Sequence, residues 1–377
     1  MVNKQTSPIC ITGMAWHTAL GSDLYEVWQK LLKGESGCKP VSSPFPLRNM
    51  RAGTIDFFSL DQQHRTRQHD LARTTIERVL EHAQLESESS AIRYILGTSY
   101  GSHLDEPVDS LHTWAVEVGE SLRTYHKPLS LTTACSSASD SILVGASLIE
   151  SGESEICVCG GADIVTISKR LAHSALNTMS PTYLRAFDES HDGMLLGEGA
   201  GFLVLESQVS AERRNATIYG YLLGAGASND ASGMTSPDPS GESIQLAIKR
   251  AFQDSETSIE ELAIINAHGS GTPVNDAVEQ ACFHLLFGEQ SELPLVFATK
   301  GAFGHSLGAT GALEAITVLL ALNEKQIPPI FGLENPMHNF TLPLPINKPS
   351  SFTGSVGASL TLGFGGFNTC LLFQGKT

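Results

Sequence analysis

Four segments of this 377-residue chain set reactive side chains among glycines and small hydroxyl residues. The first is LTTACSSASDSILVGASLIE, residues 131–150. An apolar strand-like run ends at Ala134, Cys135 sits at the turn, and small polar residues open a helix. A cysteine at a helix N-terminus meets the positive end of the helix dipole and unpaired backbone N–H groups, both of which favour the nucleophilic thiolate. The second segment, NAHGSGTPVNDAVE (266–279), presents His268 at the end of an apolar run and ahead of a glycine–hydroxyl loop. Ligands of α/β proteins bind at such strand ends. The third, TKGAFGHSLGATGALE (299–314), carries Lys300 and His305 on a glycine-rich loop that runs into an apolar helix. The fourth, LGFGGFN (362–368), is a glycine turn between two strand-like runs.

Taken singly, each has a plain reading: a buried structural cysteine, a satisfied loop histidine, a tight turn. A phosphate loop is a weak reading of residues 299–314, because the GxxxxGK[ST] spacing is absent. Together they are far more specific. A thiolate can accept an acyl group and split one hard step into two. Neutral imidazole N–H groups can stabilise an enolate as CO2 leaves. A Cys, two His and a Lys on separate strand ends are the set that decarboxylative condensation of thioesters requires.

The elements that must position them alternate along the chain. Strand-like runs at Pro8–Met14, Tyr94–Gly97, Leu129–Thr132, Ile156–Gly160 and Gly201–Leu205 interleave with helical stretches at Leu24–Leu32, Ala72–Ala83 and Ser136–Ile149. The pattern restarts near Ala216, where ATIYGYLLGAGASND again places a glycine just past an apolar strand, as SPICITGMAW does at the start. Helices at Glu242–Phe252, from about Asp276, and at Ala309–Leu322 follow, with strands at Leu262–Asn266, Ser355–Leu362 and Thr369–Phe373. Such alternation predicts α/β architecture with covered sheets. It divides the chain into two similar halves, 1–210 with the cysteine and 211–377 with both histidines and the lysine.

With these motifs in view, the sequence resembles the β-ketoacyl-acyl-carrier-protein synthases of the Cys-His-His type, over nearly its whole length. TACSSAS is similar to that family's nucleophile turn, NAHGSGTPVND to its first histidine segment, and KGAFGHSLGATGALE to its lysine and second histidine segment. The resemblance implies a thiolase-like fold whose two βαβ-rich halves pack as five layers, α-β-α-β-α. It implies Cys135 as nucleophile, His268, His305 and Lys300 as its catalytic partners, and the N–H groups of Cys135 and Phe364 as the oxyanion hole. Ser270 and Thr272 fall where relatives bind the pantetheine arm, and Glu314 where a carboxylate holds the lysine. Asn266, Glu279 and Glu314 match positions that in some relatives cage a structural cation. No metal site is otherwise expected, since Cys157 and Cys159 form an isolated CxC pair read as packing. Most other histidines, including His64, His69 and His338, are read as surface or core residues.

Three positions depart from the family pattern. Met194 stands where relatives often have Phe, His173 (or its neighbour Ser174) where an aromatic closes the acyl pocket, and Phe367 where a small Thr is usual. The stretch before Cys135 is also shorter. Substrate contact is therefore assigned to Ser270, Thr272, Met194, His173 and Phe367. The implied partner is an acyl carrier protein, which brings its own phosphopantetheine, so no separate cofactor is expected. Its docking is assigned to Arg65 and Arg67. The chain is expected to dimerise through LSLTTA (129–134), either with itself or with a chain-length-factor-like homologue. A non-catalytic chain-length factor and a degradative thiolase are the competing functions; the first is disfavoured by the intact Cys135, the second by Lys300, the second loop histidine and GFGGFN.

Totals set the outer bounds. At 41% hydrophobic and 17% charged the composition is that of an ordinary globular protein. A net charge of −16 disfavours nucleic acid and anionic membranes as partners. No apolar run nears membrane-spanning length, and the start, MVNKQTSPICITGMAW, lacks a secretory h-region. Seven cysteines, an odd number, fit reduced thiols and a cytoplasmic location.

Overall fold

The computed structural model describes residues 8–56, 62–106, 108–288 and 290–376. The first seven residues, read above for a secretory signal, lie outside them. Five strands come from the first part of the chain: β1 (Ile9–His17), β2 (Ile92–Gly97), β3 (Leu129–Leu131), β4 (Ile156–Asp163) and β5 (Gly199–Glu206). Five more follow: β6 (Gly220–Asn229), β7 (Leu262–Asn266), β8 (Leu295–Phe297), β9 (Val356–Gly363) and β10 (Phe367–Gly375). Their spatial order is β3-β2-β4-β5-β1-β6-β10-β9-β7-β8. Each group repeats the other strand for strand. β2 pairs in parallel with β3 and β4, and the β4–β5 and β5–β1 pairs are antiparallel. β7 likewise pairs in parallel with β8 and β9, and β9–β10 and β10–β6 are antiparallel. A short antiparallel pairing of Ile9–Ile11 with 220–222 joins the two groups into one continuous ten-stranded sheet.

The principal helices are α1 (His64–Ala83), α2 (Ser137–Glu150), α3 (Ile167–Ala175), α4 (Glu242–Gln253), α5 (Pro273–Phe287) and α6 (Thr310–Glu324). α2 and α6 touch each other and strands of both groups, so they form a central layer between the two halves of the sheet. α1 covers the outer face of the first half, and α4, with α5 against it, covers that of the second. The order of layers is therefore α-β-α-β-α, the thiolase-like arrangement. Burial on both faces explains why β1, β4 and β5 are buried throughout rather than alternating.

The central helices must pass close together, and small residues permit it. A Cβ on Gly311 of α6 would lie 1.9 Å from Ser139 Oγ of α2. That hydroxyl in turn meets Thr361 Oγ1 of β9 at 2.8 Å. The expectation about apolar length needs correction here: the stretch Leu307–Glu324 is long and apolar enough to cross a membrane by length and composition. It is 83% buried inside the protein, as a core helix sheathed by sheet on both sides. All seven cysteines are unpaired and buried.

Candidate active site

β3 leads into a sharp turn. Ala134 adopts φ +53°, a left-handed conformation that costs a residue with a Cβ, and Cys135 follows in a short 3-10 turn that becomes α2. Side chains hold this elbow from several directions. Asp140, on the first turn of α2, accepts from Thr133 Oγ1 and Ser136 Oγ, and also from Thr369 Oγ1 of β10. Ser137 Oγ donates to the Thr98 carbonyl at 2.9 Å. The turn is thus bonded to both halves of the sheet.

The Cys135 thiol is buried, and that burial pushes it up to about 11. The Phe364 N–H on its sulfur and the Lys300 ammonium pull the other way and are outweighed. The expectation of a helix-favoured thiolate is therefore corrected for the free protein, because loss of water outweighs the donors around the sulfur.

His268 follows β7. Its N–H and that of Gly269 each donate to Glu279 of α5 at 2.7 Å, and Asn275 Nδ2 donates to the same carboxylate. Burial nonetheless pushes Glu279 up to about 8. Lys300 donates to the His268 carbonyl and to Glu314, so it ties the two histidine loops together from behind. The His268 and His305 rings meet edge to face, centroids 5.2 Å apart. Burial first, and then Lys300, hold both well below the usual histidine range, so both are neutral. The Leu307 N–H donates to His305 Nδ1, and Thr310 Oγ1 lies 3.0 Å from the same nitrogen. That fixes the proton on Nε2.

Cys135, His268 and His305 face one cavity of about 400 Å³, with Ser270, Thr272, Met194, His173 and Phe364 in its wall. Phe367 is the exception among the expected contacts. It begins β10 with its ring against Gly365, outside the wall, because the turn Gly365–Gly366, at φ +87° and +79°, directs Phe364 inward instead. Lys300 and Glu314 pair behind the cavity as expected. Of the three residues grouped for a structural cation, Asn266 Oδ1 and Glu314 Oε2 are buried without hydrogen-bond partners, while both Glu279 oxygens accept N–H bonds. Among the described residues no three His, Cys, Asp or Glu side chains gather as a metal site.

Of the two arginines assigned to docking, the structure buries Arg67 and leaves Arg65 partly exposed in an ion pair. Arg67 is only 2% exposed and forms a buried pair with Glu198, whose carboxylate also receives the Ile55 and Val165 N–H groups. Arg65 is neutralised by a two-pronged contact with Glu117. The sequence reading also passed over two carboxylates. Asp140 braces the nucleophile turn. Asp163, at the end of β4, accepts from the Ser99 and Gly308 N–H groups at 3.0 Å and pairs with Lys169.

Comparison with known proteins agrees with this geometry. Residues 6–211 match the family model "Beta-ketoacyl synthase, N-terminal domain" and residues 219–334 "Beta-ketoacyl synthase, C-terminal domain". The 3-oxoacyl-[acyl-carrier-protein] synthase 2 of Coxiella burnetii is 30% identical, over 97% of this chain and 98% of its own. The Staphylococcus aureus (strain COL) protein of the same name is 28% identical, over 98% of this chain and 99% of its own. Among solved structures, the ishigamide ketosynthase/chain length factor superposes with a TM-score of 0.89 at 27% identity, covering 99% of this chain and 100% of that one. A type II PKS ketosynthase solved with its acyl-carrier protein (AntDE:AntF) shares the fold, with a TM-score of 0.89 at 20% identity and coverage of 99% of this chain and 100% of its own.

Proposed function

The chain belongs to the β-ketoacyl synthase family and is a condensing acyltransferase, and from that premise we propose how its residues divide the work. An acyl carrier protein brings an acyl group as a pantetheine thioester, along Ser270 and Thr272. Cys135 attacks the thioester carbonyl; the acyl–sulfur bond to the carrier breaks, and the thiol proton ends on the departing pantetheine sulfur. The N–H groups of Cys135 and Phe364 hold the oxyanion of that step. A malonyl thioester then loses CO2 while His268 and His305 Nε2–H stabilise the enolate oxygen. The enolate carbon attacks the Cys135 thioester and expels the sulfur, leaving a β-ketoacyl product longer by two carbons. Burial, and then Lys300, keep both imidazoles neutral, and Lys300 holds the loops in place through Glu314 and the His268 carbonyl.

The observation that carries this reading is the meeting of Cys135 with two neutral histidines in one cavity. The test separates the half-reactions. A Cys135→Ala protein that stays folded gains no acyl mass from an acyl pantetheine thioester and makes no condensation product. His305→Ala still acylates Cys135 but decarboxylates malonyl thioester roughly two to four orders of magnitude more slowly. Condensation by Cys135→Ala refutes the nucleophile, and equal loss of both half-reactions refutes the role of His305.

For the carrier, a second surface fits better than the one first assigned. Arg51 and Arg185 flank the exposed Tyr183 ring, and they and Arg48 have neutral partners: the Cys38 carbonyl, Thr182 Oγ1 and Asn177 Oδ1. The Arg51 and Arg185 guanidinium carbons lie 5.1 and 6.0 Å from the Tyr183 centroid. Arg48 also bonds through its N–H to Ser174, and Asn177 itself lines the cavity. This patch receives the carrier. The enzyme works as a dimer in the cytoplasm, with itself or with a chain-length-factor-like homologue, and its buried unpaired thiols suit a reducing compartment.

A further inference from the structure

Helix α3, with Leu176 at its C-terminal cap, gives one stripe of its surface to the cavity. Lys169, Ala172, His173 and Leu176 all line it, at the i, i+3, i+4 and i+7 spacing of a single helical face. A wall built for a saturated acyl chain is apolar along such a stripe. Here two of the four positions are polar, and both have hydrogen-bonding capacity left over.

Consider His173 first. Its Nδ1 lies 2.9 Å from Thr178 Oγ1, and that hydroxyl lies 3.2 Å from the His173 carbonyl oxygen. A hydroxyl has one proton to give. When it goes to the carbonyl, Nδ1–H must donate to Oγ1, and both contacts are then hydrogen bonds. The opposite tautomer forfeits one of them. Nε2 is then left with its lone pair, on a side chain that lines the cavity. Burial holds this imidazole down at about 4, so it stays neutral and keeps that lone pair at neutral pH. The ring stacks on Phe364 at 5.9 Å, the residue whose N–H reaches the Cys135 sulfur.

Lys169 supplies the complement. Its ammonium is committed to the Asp163 carboxylate and the Ile164 carbonyl, which uses two of its three protons. An acceptor and a donor therefore stand four residues apart on one helical face of the cavity. A hydroxyl is the simple group that satisfies both, donating to the first and accepting from the second. A ketone satisfies only the lysine, and a methylene neither.

We infer that the acyl group delivered to Cys135 carries a hydroxyl on its chain, bound between His173 Nε2 and Lys169 Nζ, and that this pair selects hydroxylated acyl thioesters over saturated ones. The inference rests on Cys135 as acyl acceptor and adds the class of acyl group. A saturated chain in the same place strips water from an acceptor and a donor without replacing it, which is the costly way to reject a substrate.

The experiment measures kcat/KM for acylation of Cys135 by intact mass, using octanoyl-pantetheine and three hydroxyoctanoyl-pantetheines with the hydroxyl on the β, δ or ζ carbon. At least one hydroxylated isomer is expected to react roughly 10- to 100-fold faster than octanoyl. The corresponding ketone is expected to fall between them. His173→Phe should erase the preference, by slowing the hydroxylated isomer and speeding octanoyl; His173→Leu repeats the measurement if the Phe variant is insoluble. Equal rates for octanoyl and all three isomers in the native protein, or a preference unchanged by the substitution, overturn this inference while leaving Cys135 as acyl acceptor. Failure of all four thioesters to acylate Cys135 overturns that reading and this inference with it.

Discussion

At the scale of the residue, the reactive thiol is a contest between burial and donors. The α2 terminus, the Phe364 N–H and Lys300 all favour the anion, yet removal of water leaves Cys135 protonated, at about 11. Raising the pH past the ordinary thiol range should therefore keep increasing its reactivity. The alkylation rate of Cys135 by iodoacetamide, followed by peptide mass, is expected to climb about tenfold per pH unit and to be climbing still about one unit above the free-thiol value of roughly 8.5. A plateau at or below that value shows that the helix terminus prevails. Why the cysteine, lysine and histidines were legible, and other residues were not, follows from how each acts. Cys135, His268, Lys300 and His305 sit in local runs of glycine and small residues, and the run itself is the signal. Asp140 and Asp163 also bind partners such as Thr369 and Gly308 more than 140 positions away, and those long-range bonds leave no mark in the local sequence. Arg67 misled for the same reason: its neighbours HRTRQHD are polar, and only the fold shows Glu198 against it.

At the scale of the element, periodicity found the long pieces and missed the short or polar ones. α1 begins at His64, seven residues before its apolar stripe starts at Leu71, because its first two turns are wholly polar. β8 has three residues, too few for a period, and α3 has polar side chains on a buried face. The weak repeat in the sequence became an exact repeat of strand pairing, since pairing depends on topology rather than on side-chain identity. The expected edge does lie at the edge: β3 is the last strand on its side of the sheet, with Leu129 48% exposed. Leu104, Leu111 and Tyr125 are exposed in the segments that precede it. An unpaired edge with apolar company is a site for a second chain. Solution mass is expected to report a dimer, and Leu129→Glu to shift it towards monomer with slower acylation, because β3 runs through only three residues to Cys135. A stable, fully active monomer refutes the pairing. An active homodimer that makes full-length product alone refutes an obligate second subunit.

At the scale of the whole molecule, net charge and local charge point in opposite directions. A chain of −16 repels an acidic carrier at long range, so docking must rely on a patch where cations are not already spent. Several basic side chains fail that condition. Arg65 belongs to Glu117, Arg73 to Glu77, Arg213 to Glu155 and Arg214 to Glu206. Arg48, Arg51 and Arg185 meet it, and the segment that Arg48 contacts, 174–178, supplies Leu176, Asn177 and Thr178 to the cavity wall. Pantetheine delivered from this patch would have its thioester directed to the site rather than to bulk water. Reversing Arg48 and Arg185 to Glu is expected to raise the apparent KM for carrier-bound acyl thioester roughly tenfold at low salt, with kcat little changed. The effect should shrink as ionic strength rises, since exposed charges are screened beyond about 10 Å at roughly 0.1 M. A small pantetheine thioester, which needs no docking, should react at the native rate with the same variant. Arg65→Glu serves as the contrasting case, because its charge is already cancelled in the native protein and should leave the KM for the carrier near its native value. If Arg65→Glu raises that KM as much as the double variant does, the carrier docks at the start of α1 and not around Tyr183.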